Sequence, residues 1–382
     1  MLGRTNTLFV EDQEDTSFEL VQEPIVTASA SSVEKIEFFN GFYFAFLGDW
    51  KILYGSDMNN LSIMMRDNTP FLASHVIYAD DSFYFVYANK KFSQQKICKT
   101  TDFLSFEDVD VPEVEEYTAF GIYMTKAGRI VILMADEKIS LHICITDTIS
   151  ESAQLNIIET SYNYKIGSSI NSTYLKASKM INDKIILKEY AGSSTNTYML
   201  ICSLDGTVTN THANNLSKYA HGCFYTATNS LTMYYSLNGI DFNKLGTVNG
   251  VTTGNLVNTF EVMELDDNAV GVIIHNTGNI DMFTIIETPT QPGNIFQNPK
   301  VISLFGSFLC YLYHDGFTYI GCTGGLILKT YVDYSGSSAA PNIKALKTLS
   351  AKQALEDAKK YTDERFKILA SMIENMHTGK EE

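Results

Sequence analysis

The sequence predicts an all-β chain, a β-propeller of five to seven blades with seven the best count, followed by a C-terminal α-helical coiled coil. Three observations carry that reading. A hydroxyl–acid turn recurs about every 46 residues, apolar and aromatic strand-like runs fill the intervals, and both patterns stop after Asp333.

The turn is clearest at Ser236–Phe242, where Ser236, Asn238 and Phe242 follow the run Leu231–Tyr235. Thr100, Asp102 and Phe106 repeat the spacing: a hydroxyl, an acid or amide two residues later, and Phe six residues after the hydroxyl. Weaker copies end apolar runs at Asp57, Asp147, Asp205 and Asp333, and a degenerate one lies near Glu287. These markers are spaced 45, 45, 58, 33, 49 and 46 residues apart. A long fourth interval followed by a short fifth is explained by an insertion over residues 150–175 and trimmed loops after it. A repeat of this length holding several short strands reads as one propeller blade. A single blade cannot cover both its faces, so blades pack radially. A pair of β-sandwiches is the alternative, but it lacks the 46-residue register.

The strands begin at Gly41, Ser82, Gly128, Asp183, Gly222, Ala269 and Gly316, and most follow turn-forming residues such as Asn40, Asp80–Asp81, Asn182, His221 and Asp315. Composition agrees. The 382 residues are 45% apolar and only 19% charged, with 22 Tyr, 23 Phe and one Trp, which favours strands over helices.

Four regions follow: residues 1–33 as an N-terminal arm that docks on a partner or pairs with a sheet edge, 34–333 as the propeller, 334–349 as a Ser/Gly/Pro-containing linker, and 350–378 as the helix. Ser350 and Gln353 make a capping box. Beyond it Ala351, Leu355, Ala358, Thr362, Phe366, Leu369, Ile373 and Met376 form a heptad-type stripe with one four-residue stutter. The stripe is narrow, so self-association is expected.

Charge and motif content exclude several classes. The formal charge is −16 and the only arginines are Arg4, Arg66, Arg129 and Arg365, so no basic surface exists for nucleic acid. No apolar run reaches membrane-spanning length and the first thirty residues lack a signal-peptide core. The expectation is a protein made in a cytoplasm, with no membrane insertion. The six cysteines form no Cys-x-x-Cys pair, and Cys98, Cys144 and Cys202 precede the Asp turns in successive repeats, as small buried core residues do. The seven histidines never take metal-ligand spacing. No catalytic residues, cofactor or metal are predicted. Loops rich in Tyr, Asn and Ser, including Tyr162, Tyr164, Asn196 and Tyr198, suit contact with carbohydrate or protein.

The hydroxyl–acid turns resemble the Asp boxes of sialidase-type propellers, in which a Ser or Thr, an Asp and an aromatic brace the outer hairpin of a blade, away from the active site. The resemblance implies a fold and no activity: a sialidase needs three arginines to clamp a carboxylate, and the body offers Arg66 and Arg129. The plan of arm, propeller, linker and the coiled-coil segment Ala351–Phe366 resembles bacteriophage tail-fibre, baseplate and receptor-binding proteins. That resemblance implies a non-enzymatic virion component, made in the host cytoplasm, joined as a homotrimer through its C-terminal helices. Its propeller would bind other virion tail proteins or a host surface glycan. The alternatives are a glycan-cleaving depolymerase of the tail and a bacterial propeller binding module.

Overall fold

The computed structural model describes residues 19–333 apart from 89–94, 110–117, 136–139, 150–154, 164–177, 191–196, 212–217, 229–231, 249–259, 267–268, 276–280, 288–299 and 303–305. Leu20–Tyr331 is one compact unit. Of the second unit, Met1–Glu19 with Val332–Glu382, only Glu19, Val332 and Asp333 are described. The linker and the predicted coiled coil, with Leu355, Ala358, Thr362, Phe366, Leu369, Ile373 and Met376, lie outside the described residues, as do Tyr164 and Asn196.

Seven four-stranded antiparallel sheets, the blades, follow one another along the chain. After β1 (Glu19–Val26), blade 1 holds β2 (Val33–Phe39), β3 (Phe42–Leu47), β4 (Ile52–Gly55) and β5 (Ser62–Ile63). A small hairpin, β6 (Met65–Arg66) and β7 (Thr69–Pro70), leads to blade 2: β8 (Ala73–Ala79), β9 (Ser82–Ala88), β10 (Gln95–Thr100) and β11 (Glu107–Asp108). Blade 3 is β12 (Thr118–Met124), β13 (Ile130–Ala135), β14 (Ser140–Thr146) and β15 (Asn156–Asn163). Blade 4 is β16 (Lys179–Ile181), β17 (Lys184–Tyr190), β18 (Thr197–Ser203) and β19 (Val208–Thr211). Blade 5 is β20 (Lys218–Ala220), β21 (Cys223–Ala227), β22 (Thr232–Ser236) and β23 (Asn243–Thr247). Blade 6 is β24 (Phe260–Asp266), β25 (Ala269–His275), β26 (Asp281–Glu287) and β27 (Lys300–Ile302).

Blade 7 breaks the pattern. Its strands β28 (Phe308–His314), β29 (Phe317–Cys322) and β30 (Leu326–Asp333) are completed by β1 from the other end of the chain. Thr27 N donates to Gly325 O at 3.0 Å, and Lys329 on β30 pairs with Glu23 on β1 at 3.5 Å. The N-terminal segment is therefore the fourth strand of the last blade. Covering the open edge of β30 removes a row of unpaired backbone groups.

The first two strands of a blade meet at tight turns. In blades 1, 2, 4, 5 and 7 the two turn residues both have positive φ, at Asn40–Gly41, Asp80–Asp81, Asn182–Asp183, His221–Gly222 and Asp315–Gly316. Such turns match strand twist and favour Asn, Asp and Gly, which is why turn formers precede these five strand starts. The core lies between blades. Phe44 and Phe46 of blade 1 pack with Phe83, Phe85 and Phe103 of blade 2, Ile77 and Tyr84 of blade 2 with Ile122 and Ile132 of blade 3, and Val33 and Leu53 of blade 1 with Cys310 and Ile327 of blade 7. Cys98, Cys144 and Cys202 each sit in the third strand of blades 2, 3 and 4, all fully buried.

Some expectations need correction. Asp333 is the last residue of β30 and Glu287 the last of β26, so neither is a turn residue. The strand that pairs with β30 on its other side is β1, from the N-terminal end of the chain. Thr330, three residues before Asp333, is buried in β30 and donates to Thr318 O at 2.8 Å. Tyr162 and Tyr198 lie in β15 and β18 and not in loops, as the strand preference of their Tyr- and Thr-rich runs dictates.

Candidate functional site: the inner strands around the channel

The first strand of each blade is its innermost, and among the described residues five of these strands carry a one-residue irregularity, in blade 6 next to the turn, at Leu265, and in four others near the start of the strand. One extra residue bulges out against the second strand: Glu34 in blade 1, Ser74 in blade 2, Phe120 in blade 3 and Leu309 in blade 7. The four blades with the bulge near the strand start are consecutive around the ring (7, 1, 2, 3). A bulge re-aims the side chains beyond it. The residues just past the bulges are Cys310, Lys35, His75 and Gly121, so equivalent backbone positions carry a thiol, an amine, an imidazole and a glycine.

A continuous polar network runs from there. Lys35, 2% exposed, donates from Nζ to Ser74 O at 2.7 Å and lies 4.4 Å from the centre of the Phe46 ring. It also pairs with Glu37 Oε1 at 3.5 Å. His75 Nδ1 lies 2.9 Å from Ser74 Oγ, and Nε2 lies 3.0 Å from Ser178 Oγ and 3.3 Å from Ser178 O. Tyr123 OH donates to Ser178 Oγ at 2.7 Å. A β-carbon on Gly121 would collide with the Tyr123 hydroxyl, so a larger residue there must displace that ring. Blades 1 to 4 are thus stitched together through side chains drawn from four separate repeats.

Farther round, Lys179 Nζ lies 5.8 Å from the centre of the Tyr311 ring. Tyr311 OH donates to Tyr219 O at 2.6 Å, and Lys218 bonds Glu261 at 2.8 Å. Among the described residues, Glu37 Oε2 is buried without a hydrogen-bond partner.

Burial sets the protonation states. It holds His75 well below its ordinary range, with the Lys35 charge adding to the effect. It lowers Lys35 and raises Glu37, although each charge opposes the shift of the other. The Cys310 thiol is pushed up to about 12 and donates to Val33 O at 3.4 Å. A neutral imidazole with both nitrogens engaged and a protonated thiol provide no activated nucleophile. What the wall offers is a fixed set of donors and acceptors.

The turns predicted from sequence lie elsewhere, between the third and fourth strands. In blade 2, Phe103 N donates to Thr100 Oγ1 at 3.0 Å, and Leu104 N and Ser105 N each donate to Asp102 Oδ1 at 2.8 Å. Blade 5 repeats this with Gly239 N to Ser236 Oγ, and Ile240 N and Asp241 N to Asn238 Oδ1, each at 2.9 Å. Phe106 and Phe242 are half-buried behind them. Asp57 Oδ1 accepts from Asn59 N at 3.0 Å, Asp205 Oδ1 from Thr207 N at 2.9 Å, and Asp147 Oδ1 from Arg129 Nε at 2.9 Å. None of these residues joins the inner-strand network. Sequence reasoning missed Lys35, Glu37, His75, Tyr123, Ser178 and Lys179. The available signal was charged or polar residues interspersed with apolar ones in a first strand, as in Val33–Phe39 and Ala73–Ala79.

No protein-family model and no curated protein matches the sequence. Solved structures match it by fold. YCF48 bound to D1 peptide superposes with a TM-score of 0.54 at 10% identity, covering 84% of this chain and 97% of that one. The chain is a seven-bladed β-propeller. The propeller is also similar to virginiamycin B lyase from Staphylococcus aureus (TM-score 0.46, 8% identity, 82% of this chain and 99% of that one) and to the WD40 propeller domain of Doa1 (0.44, 10%, 82% and 97%). At these identities the likeness speaks to the fold alone.

Proposed function

We propose that this propeller is a non-enzymatic binding protein, a component of a phage tail or similar appendage that attaches to a host surface glycan. The observation that carries the binding part is the inner-strand network, whose titratable groups are held neutral or engaged with one another. That arrangement suits recognition and rigidity over turnover. The appendage part rests on the sequence plan of propeller, Ser/Gly linker and heptad stripe at Leu355–Met376, with self-association as a homotrimer. A bacterial propeller binding module is compatible with the same fold and network.

The test is retention of the intact protein on purified host cell-wall polysaccharide, with reducing ends assayed in parallel. Retention without new reducing ends is the expected result. New reducing ends, abolished by a single Asp or Glu substitution, would overturn the reading in favour of a depolymerase. Light scattering of the full chain and of a chain ending at Asp333 tests self-association, and equal monomeric masses would sink it.

A further inference from the structure

We propose that the turn-bearing face of blades 1 and 2 is a docking surface for a polypeptide segment that sets lysine or arginine among apolar side chains. The surface lies apart from the inner-strand network and does not depend on the glycan-binding reading. The first and third strands of a blade run in the same direction, so the turns that follow them lie on one face. Between blades 1 and 2 those turns meet in an aromatic seam. The Phe103 ring centre lies 4.9 Å from that of Phe42, 4.9 Å from Tyr54 and 4.7 Å from Phe83, and Phe83 lies 4.9 Å from Tyr78. Phe42, Tyr54 and Tyr78 are half-buried, so the seam reaches the surface. The brace at Thr100 and Asp102 holds Phe103 inward at a φ of 59°. The next side chain, Leu104, stands 81% exposed. Contiguous apolar surface, unlike a single exposed side chain, marks a contact site.

The charges choose the partner. Among the described residues, the turns bordering the seam (40–41, 56–61, 80–81 and 101–106) carry four exposed acids, Asp57, Asp80, Asp81 and Asp102, and no lysine or arginine. The same face of blade 3 presents Lys126 and Arg129, so the acidic border is local. A second copy docked face to face sets four like charges against these four, and an acidic segment meets the same repulsion. A basic segment gains an ionic contact with each Asp it reaches, and the Phe42 and Tyr54 rings attract cations too. Exposed ion pairs contribute little one by one. Affinity therefore comes from apolar side chains laid on the seam and Leu104, and the acids select the partner.

Fluorescence anisotropy with the full chain tests this, using short labelled peptides of alternating Lys–Leu, Lys–Ser and Glu–Leu. The Lys–Leu peptide is expected to bind most tightly, and about tenfold more weakly to Leu104→Ser and to Asp57→Asn/Asp81→Asn. These substitutions alter exposed side chains, and Asn keeps the Oδ1 acceptor, so folding is retained. Ile240→Ser, at the equivalent exposed position in the braced turn of blade 5, should bind like the wild type. The surface is overturned if the Lys–Leu peptide fails to bind, if Lys–Ser or Glu–Leu binds as well, or if Leu104→Ser and Ile240→Ser behave alike. Two further outcomes overturn it in favour of another occupant. A lower mass for Leu104→Ser than for the wild type in light scattering assigns the seam to a second copy, and loss of polysaccharide retention in Leu104→Ser assigns it to the glycan.

Discussion

The hydroxyl of Tyr123 occupies the space that a β-carbon on Gly121 would need. Two residues apart on β12, they decide together whether that hydroxyl reaches Ser178 of the next blade. Gly121→Ala is expected to displace the ring, break the bond and destabilise the protein by about 1–3 kcal/mol. Denaturant unfolding checks this. In the double variant Gly121→Ala/Tyr123→Phe the two losses should not add, because both remove the same contact.

His75 makes stability depend on acidity. Its folded-state pKa lies below the ordinary value near 6.5, so in acid the unfolded chain binds a proton that the folded one refuses. Stability is thus highest above about pH 6.5 and falls as the pH drops below it. Melting temperatures measured from pH 8 to pH 5 should decline more steeply for the wild type than for His75→Gln. Parallel curves would remove His75 as the cause.

Lys35 anchors the same network at its other end. Replacing it with Met leaves the Glu37 carboxylate, with its buried Oε2, without its ion-pair partner and Ser74 O without the Lys35 donor, a loss on the order of 3–5 kcal/mol. The pair Lys35→Met/Glu37→Gln should recover much of that loss, since the uncompensated charge goes with the second change. Chemical denaturation of the three variants tests it, and additive losses would show that the two groups do not interact.

The two braced turns differ in one group, Asp102 in blade 2 and Asn238 in blade 5. Backbone donors from Ser105 and Leu104 hold Asp102 below its ordinary range. Its contribution is therefore present at neutral pH and lost as the pH falls through that depressed value. Asp102→Asn should keep the turn, as Asn238 does, and flatten this acid-side loss. Amide exchange of Leu104 and Ser105 at low pH reports it: protection should persist in the variant.

The closing strand supplies a fifth test. A chain beginning at Ser32 lacks β1 and leaves the edge of β30 bare. It should lose the cooperative unfolding transition, and adding a peptide spanning residues 19–31 should restore it. A truncated chain that unfolds like the wild type would show that the fourth strand of blade 7 is dispensable.

The braced turns and the blade register were legible because their interactions are local. Thr100, Asp102 and Phe106, like Ser236, Asn238 and Phe242, lie within seven residues of one another, and the tight turns at Asn40–Gly41 or Asp315–Gly316 reveal themselves by residue type alone. The same local reading failed at Asp333. A hydroxyl and an acid after an apolar run look alike whether the next strand follows or arrives from the other end of the chain.

By itself the sequence determined the class of fold, its period and its bracing turns, since strand preference, turn geometry and short-range hydrogen bonds act over a few residues. Only the tertiary structure decided that Glu19–Val26 closes the ring, and that Lys35, His75, Tyr123 and Ser178 meet. His75 and Ser178 are separated by 103 residues, and a polar residue in a strand says nothing by itself of which partner faces it. Radial packing of the blades brings the inner strands together, and the bulges then turn these side chains toward one another.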